Sequence, residues 1–364
     1  MFEISLRCFK CGRKYSIGSF FWCPSCKGSL DVEYDYNEIE KIILTDEFKR
    51  TPVSHWKYWA FYPVNTPSKA VTLGEGNTPL IKSKMNSNLY FKYEGCNPTG
   101  SFKDRGSTVE ITKALENNVK KALCATTGNM GASCSAYCAK AGIELTVYLP
   151  KDTPRSKIEQ ILSHGARVKK ISGNYNDCLR KIHELKEKEN YYLVGDYPFR
   201  TEGEKSIAFE LAEKMKIDSV ILPIGNGTLC YATYKGFQEF VYLGLYEKIP
   251  KIYGVQASGC APVYKAWKEN SEIKEINPKT KASAIAVGKP IDGEKAIFAV
   301  RKTGGKILAV SDKEISQAKA ELAKEGIYAE LGASTTYAAY KKLEDELKDQ
   351  TCVLIITGTG LKEK

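Results

Sequence analysis

From residue 71 onward, short apolar runs alternate with longer stretches in which apolar positions recur at helical spacing. The short runs predict strands over residues 89–93, 122–125, 145–149, 167–171, 220–224, 252–256, 306–310 and 352–356. The longer stretches predict helices over 108–115, 132–141, 158–164, 207–215, 315–325 and 335–347. Strand and helix in regular alternation imply parallel α/β layers, because parallel neighbours need a crossover connection and the usual crossover is a helix. Residues 31–70 break the pattern: rich in charge and carrying Trp56, Trp59, Phe61 and Tyr62, they read as a connector that packs on the α/β region. Residues 1–30 are loop-rich and hold two CxxC pairs, and the chain contains no internal repeat or low-complexity tract.

Chemistry gathers where predicted strands run into predicted helices. After 89–93, the turn residues Asn97-Pro98-Thr99-Gly100 bring Lys103 to the start of a helix. Positive potential at a helix start disfavours an ammonium and leaves more of the free amine that carbonyl condensation requires, which suits a Schiff-base lysine. The same residues also suit a solvated lysine in a basic loop. The segment from Ala125 through Thr126, Thr127, Gly128, Asn129 and Met130 to Ser133 joins strand to helix with hydroxyls and glycines, and such a turn presents N–H groups to an anion. Gly225-Asn226-Gly227-Thr228 follows an apolar strand and opens a helix, as a phosphate cradle does. Thr357-Gly358-Thr359-Gly360 puts a hydroxyl at the carboxyl end of the last strand, the edge where ligands bind in open α/β sheets. Glycine-rich turns of this kind also serve as plain connections in α/β proteins.

In this order, NPTGSFKDRG, TTGNMGAS, PIGNGT and ITGTGLK resemble the motifs of fold-type II pyridoxal-phosphate enzymes, and most closely those of the threonine synthase family. The resemblance covers about residues 71–364 and includes Gly74-Glu75-Gly76-Asn77-Thr78-Pro79-Leu80. It implies a fold like that of the tryptophan synthase β chain: two parallel α/β domains with the cofactor between them, the smaller spanning about 101–194, and a zinc ribbon ahead. It implies that Lys103 binds pyridoxal phosphate covalently and that Asn129 hydrogen-bonds the ring hydroxyl. Gly225, Asn226, Gly227 and Thr228 would hold the cofactor's phosphate, and Thr357 would face the pyridine nitrogen without giving it a charged partner. Thr126 and Thr127 would take the substrate carboxylate, and Arg200 would grip a substrate phosphate with its bidentate fork. The implied reaction converts O-phosphohomoserine and water to threonine and phosphate in a homodimeric enzyme.

The chain departs from that family pattern at four places. Met130 stands where a threonine follows the asparagine; Gly195-Asp196 stands where an Asn-Ser pair is common; Leu229 replaces an asparagine of the phosphate loop; and Glu330-Leu331-Gly332-Ala333-Ser334 carries one extra residue. An aspartate at 196 opposes a dianionic ligand unless a cation neutralises it. These departures keep a second reaction open on the same cofactor: β-elimination or β-replacement on serine, threonine, O-phosphoserine or an acetylated serine, as in the dehydratases and the cysteine or cysteate synthases.

The amino terminus carries a separate signal. Cys8, Cys11, Cys23 and Cys26 form two knuckles whose thiolates can meet tetrahedrally around one structural Zn²⁺; reduced thiols or disulfides in a small ribbon fit the same spacing. The other eight of the 12 cysteines lie mostly in apolar runs and read as small buried hydrophobes. A net charge of +11 and a ribbon raise nucleic-acid binding as a rival function. The lysines, however, are interspersed with glutamates, as in 181–189, which makes a solvated helix face and no basic stripe. The three histidines carry no triad or metal pattern, no Walker A motif occurs, and Gly225-Asn226-Gly227 lacks dinucleotide-fingerprint spacing. No secretory or membrane-spanning run is visible, so the expected location is the cytoplasm, with a phosphorylated amino acid as partner and neither nucleic acid nor membrane.

Overall fold

Three sheets organise the described part of the chain, which in this computed structural model is residues 2–363 without Ser19, Thr127, Asn190, Asp196 and Tyr197, and without the side chains of residues 187–189. The chain divides into two units. The first comprises Met1–Asn77, Lys103–Thr153 and Lys157–Ser206; the second comprises Thr78–Phe102, Pro154–Ser156 and Ile207–Lys364.

The first unit is built on a parallel sheet in the order Arg167–Ile171, Glu144–Pro150, Lys121–Ala125, Tyr192–Val194. Cys124, Val147, Leu149, Ile111, Tyr137 and Ile161 fill its core with the helices Lys103–Glu116 and Asn129–Ala141. A second, antiparallel sheet in this unit runs Lys14–Tyr15, Glu3–Cys8, Leu30–Tyr34, so the ribbon's third strand continues past residue 30. Asp35 then accepts from the N–H groups of Asn37 and Glu38 and starts the helix Tyr36–Ile43. The stretch read as a connector therefore carries regular structure, including a 3₁₀ segment, His55–Phe61, whose Tyr58 and Phe61 are fully buried.

The second unit is built on six strands in the order Ile307–Val310, Lys251–Ala257, Ser219–Pro223, Cys352–Ile356, Leu89–Tyr93, Leu80–Lys82. All neighbours are parallel except the last pair. Ser219–Pro223 and Cys352–Ile356 are buried throughout, as unbroken apolar runs require at the centre of a sheet covered on both faces. Leu80–Lys82 and Tyr192–Val194 escaped the sequence pattern because three residues are too few to show alternation.

The helix expected from residue 108 begins at Lys103. Its residues from Asp104 to Ala114 are buried although most are polar, so its apolar stripe is short and the pattern understates its length. Among the described residues no helix is long and apolar enough to cross a membrane.

Candidate active site

In the first unit Lys103 is the first residue of the helix Lys103–Glu116, and Asp104 in that first turn complements the helix dipole. The Lys103 Nζ lies 3.6 Å from Glu204 Oε1, and Glu204 is fully buried. The carboxylate is thus the anionic neighbour of the Lys103 side chain within the first unit.

Arg200 sits in the short helix Pro198–Glu204, fully buried, with its donors turned into the protein. Its Nε donates to the Gly195 carbonyl at 2.9 Å, Nη1 to the Lys103 carbonyl at 2.9 Å, and Nη2 to Ser107 Oγ at 2.8 Å and Glu110 Oε2 at 2.9 Å. Nη2 also lies 3.3 Å from the Cys134 sulfur. Burial pushes the Glu110 carboxyl up to about 8, against the pull of the Arg200 guanidinium. Arg200 thus ties the backbone of Lys103 to a buried polar cluster, and its Nη1 also lies 3.9 Å from Glu204 Oε1.

Thr126 Oγ1 accepts from the N–H groups of Gly128, at 2.8 Å, and Gly131, at 3.0 Å, and so satisfies donors at the start of the helix Asn129–Ala141. Asn129 is that helix's first residue and is buried. Met130, the departure beside it, joins the apolar core of the first unit. Thr127 and Asp196 lie outside the described residues.

In the second unit the turn Gly225-Asn226-Gly227 opens the helix Thr228–Tyr242. Gly227 is its N-cap with φ +98°, no side chain caps it, and Thr228, Leu229 and Cys230 are buried. The dipole of a buried helix start favours an anionic ligand, because little water screens it. The donor set therefore fits a phosphate group. Thr357 is buried just beyond Cys352–Ile356, and its carbonyl accepts from the Phe102 N–H at 3.0 Å. Ser101 bridges to Gly358, and Lys362 Nζ donates to the Thr99 carbonyl at 2.6 Å, so the carboxyl-terminal segment fastens the NPTGS turn.

Sequence reasoning missed Glu204, Asp292 and Lys295. Glu204 stands four residues after Arg200 on one helix, a spacing that signals a pair. Asp292 reaches Thr228 from 64 residues away and Lys295 pairs with Asp292, which no local pattern reveals.

The four amino-terminal cysteines come together: their sulfurs all lie within 4.8 Å of one another, with Cys8 and Cys26 at 3.4 Å and Cys11 and Cys23 at 3.8 Å. Tetrahedral Zn–S bonds of about 2.3 Å require S···S separations of roughly 3.8 Å, so the donor set fits the ion. Tyr15 OH lies 3.1 Å from Cys23 Sγ, a partner for a thiolate.

The chain matches the family described as "Pyridoxal-phosphate dependent enzyme" over residues 71–358. It is 40% identical to the threonine synthase of Methanocaldococcus jannaschii and 42% identical to that of Methanosarcina acetivorans, in each case over 98% of this chain and 92% of the relative. Among solved structures it is similar to a pyridoxal 5'-phosphate-dependent aspartate racemase, with a TM-score of 0.68 and 22% identity over 78% of this chain and 90% of that one, a likeness of fold alone.

Proposed function

Since the chain belongs to the family of pyridoxal-phosphate-dependent enzymes, and within it to the threonine synthases, we propose that it converts O-phosphohomoserine and water to threonine and phosphate. The observation that carries this reading is Lys103 at the head of a buried helix, in a chain 40% and 42% identical to two threonine synthases over 98% of its length. When bound, the cofactor supplies an electron sink for charge that develops on the substrate carbons.

Lys103 would hold the cofactor, and its free amine would take the proton from the substrate Cα and carry protons at Cβ and Cγ as phosphate leaves Cγ and water adds at Cβ. Glu204, 3.6 Å away, steadies the charge that this amine gains with each proton. The N–H groups at Gly225, Asn226, Gly227 and Thr228 would hold the cofactor phosphate, Asn129 its ring hydroxyl, and Thr357 would serve its ring nitrogen. Thr126 and Thr127 would receive the substrate carboxylate, and Arg200 the substrate phosphate. Residues 1–30 are read as a structural zinc ribbon, 31–70 as a connector and 71–364 as the catalytic region with a smaller part about 101–194. The same reading makes the protein a cytoplasmic homodimer.

Protein loaded with pyridoxal phosphate and given O-phosphohomoserine is expected to release phosphate and threonine in equal amounts. O-Phosphoserine, serine and threonine are run in parallel. A 2-oxo acid or a β-replacement product from one of these, with no turnover of O-phosphohomoserine, sinks the reading in favour of an elimination or replacement enzyme.

A further inference from the structure

Two helices of the second unit begin at one place. The helix Thr228–Tyr242 starts from Gly227, the helix Gly293–Lys302 starts from Asp292, and a Cβ on Gly227 would lie 2.5 Å from the Asp292 carbonyl oxygen. The two turns therefore touch backbone to backbone, which only glycine permits at that position. Asp292 N–H donates to the Asn226 carbonyl at 2.9 Å and Ile291 N–H to Asn226 Oδ1 at 3.3 Å, so the cradle and the second turn are stitched together.

An aspartate at an N-cap ordinarily accepts from the first N–H groups of its own helix. Asp292 makes no such bond. Its Oδ2 takes the Thr228 hydroxyl at 2.7 Å, and Lys295 Nζ lies 3.5 Å from Oδ1 and 4.9 Å from the centre of the Tyr231 ring. Asp292 is 4% exposed and Lys295 1% exposed. A buried carboxylate beside a cradle for a dianion repels that dianion, strongly so where water does not screen it. The ammonium three residues along the same helix cancels that charge.

We propose that Asp292 and Lys295 form a positioning pair for the cofactor's phosphate: Asp292 fixes the Thr228 hydroxyl and the junction of the two turns, and Lys295 offsets the negative charge that Asp292 brings to the cradle. The inference rests on the reading of Gly225 to Thr228 as the phosphate site. It makes Lys295 a residue on which affinity for the phosphate, and not for the ring, depends.

The test uses full-length apoprotein titrated with pyridoxal phosphate and, separately, with pyridoxal, which lacks the phosphate, following bound cofactor by absorbance and equilibrium dialysis. Lys295→Met is expected to weaken pyridoxal phosphate by about tenfold or more and to leave pyridoxal unchanged, because it strands a carboxylate beside the phosphate. Asp292→Asn is expected to bind pyridoxal phosphate at least as well as the parent, and the double variant D292N/K295M to recover most of the loss. Unchanged pyridoxal-phosphate affinity in K295M, a parallel loss of pyridoxal, or a double variant as weak as K295M overturns the proposal. Should K295M fail to fold, K295Q read with the same two ligands decides. If the parent binds pyridoxal phosphate no better than pyridoxal, the cradle reading falls and the pair with it. If it binds the cofactor well but makes no threonine, the substrate reading falls and the pair stands.

Discussion

Truncating Arg200 to alanine does two things at once, and they have to be separated. It removes a guanidinium with a proposed substrate role, and it leaves the Glu110 carboxyl, fully buried, without the cation 2.9 Å away. Burial already favours the protonated form of that carboxyl at neutral pH, so what R200A strands is a set of buried acceptors at Gly195, Lys103, Ser107 and Glu110, each costing about 1–3 kcal/mol when left unpaired, and the variant is expected to unfold at distinctly lower urea than the parent. A wild-type midpoint would show that the pair contributes little. Arg200→Lys keeps the charge and loses the fork, so it is the better probe of phosphate recognition: a raised KM with a near-parental urea midpoint supports that role, while unchanged kcat/KM argues against it. Gly203 makes a sharper demand. A Cβ there would lie 2.0 Å from the Arg105 carbonyl oxygen, where only backbone movement relieves the clash. Gly203→Ala is therefore expected to lose about 1–3 kcal/mol of stability, the usual cost of overpacking, read as a fall of several degrees in the thermal midpoint.

At the level of elements, the helix Asp312–Lys324 carries a complete capping box: Ser311 Oγ accepts from the Glu314 N–H, and the Glu314 carboxylate accepts from the Ser311 N–H at 2.7 Å. Burial pushes the Glu314 carboxyl up, but Lys342 and the Ser311 donors outweigh it and bring it down to about 2. A depressed carboxyl stabilises the fold above its ordinary value and loses that contribution as pH falls through the folded value. Glu314→Gln is thus expected to cost roughly 1 kcal/mol at pH 7, with the difference from the parent shrinking as pH falls from about 4.3 toward 2. Paired urea titrations at pH 7 and pH 3 check the sign, and a gap that widens in acid would contradict it. The chain carries this box as Ser311-Asp312-Lys313-Glu314, a local signature that the helix expected from residue 315 passed over, whereas the strands at 89–93, 167–171 and 352–356 were plain because each depends on neighbours along the chain. The buried helix Lys103–Glu116 was only half visible, since its polar side chains are satisfied by distant partners such as Arg200. The glycine turn of the cradle was legible for the same local reason, whereas Asp292 was not, its hydrogen bond to Thr228 spanning 64 residues.

The ribbon raises the question of what holds an amino-terminal segment of three short strands in place. Strands of two, six and five residues bury too little to be stable alone, and metal binding is one way such a segment gains its folding energy. It also leans on the first unit: Trp22 stacks on His183 with ring centres 4.2 Å apart and Phe21 meets the same ring edge-on at 4.9 Å, on the helix Tyr175–Glu189. Burial, followed by Lys186 and Lys27, brings His183 down to about 4, so the ring stays neutral and stacks without the cost of a buried charge at neutral pH. If four thiolates hold one ion, purified protein is expected to contain one zinc per chain, and Cys8→Ser with Cys11→Ser to contain none. The metal-free variant should then lose the Trp22–His183 stack, giving a tryptophan emission change that is absent when Trp22→Phe is already in place. Its thermal midpoint should fall as well, because both surfaces of that contact belong to the first unit. A chain that carries no metal as purified, or a double-serine variant with the parent's emission and midpoint, would mean that the aromatic contact holds the ribbon without an ion. The close approach of the four sulfurs would then be a reduced thiol cluster.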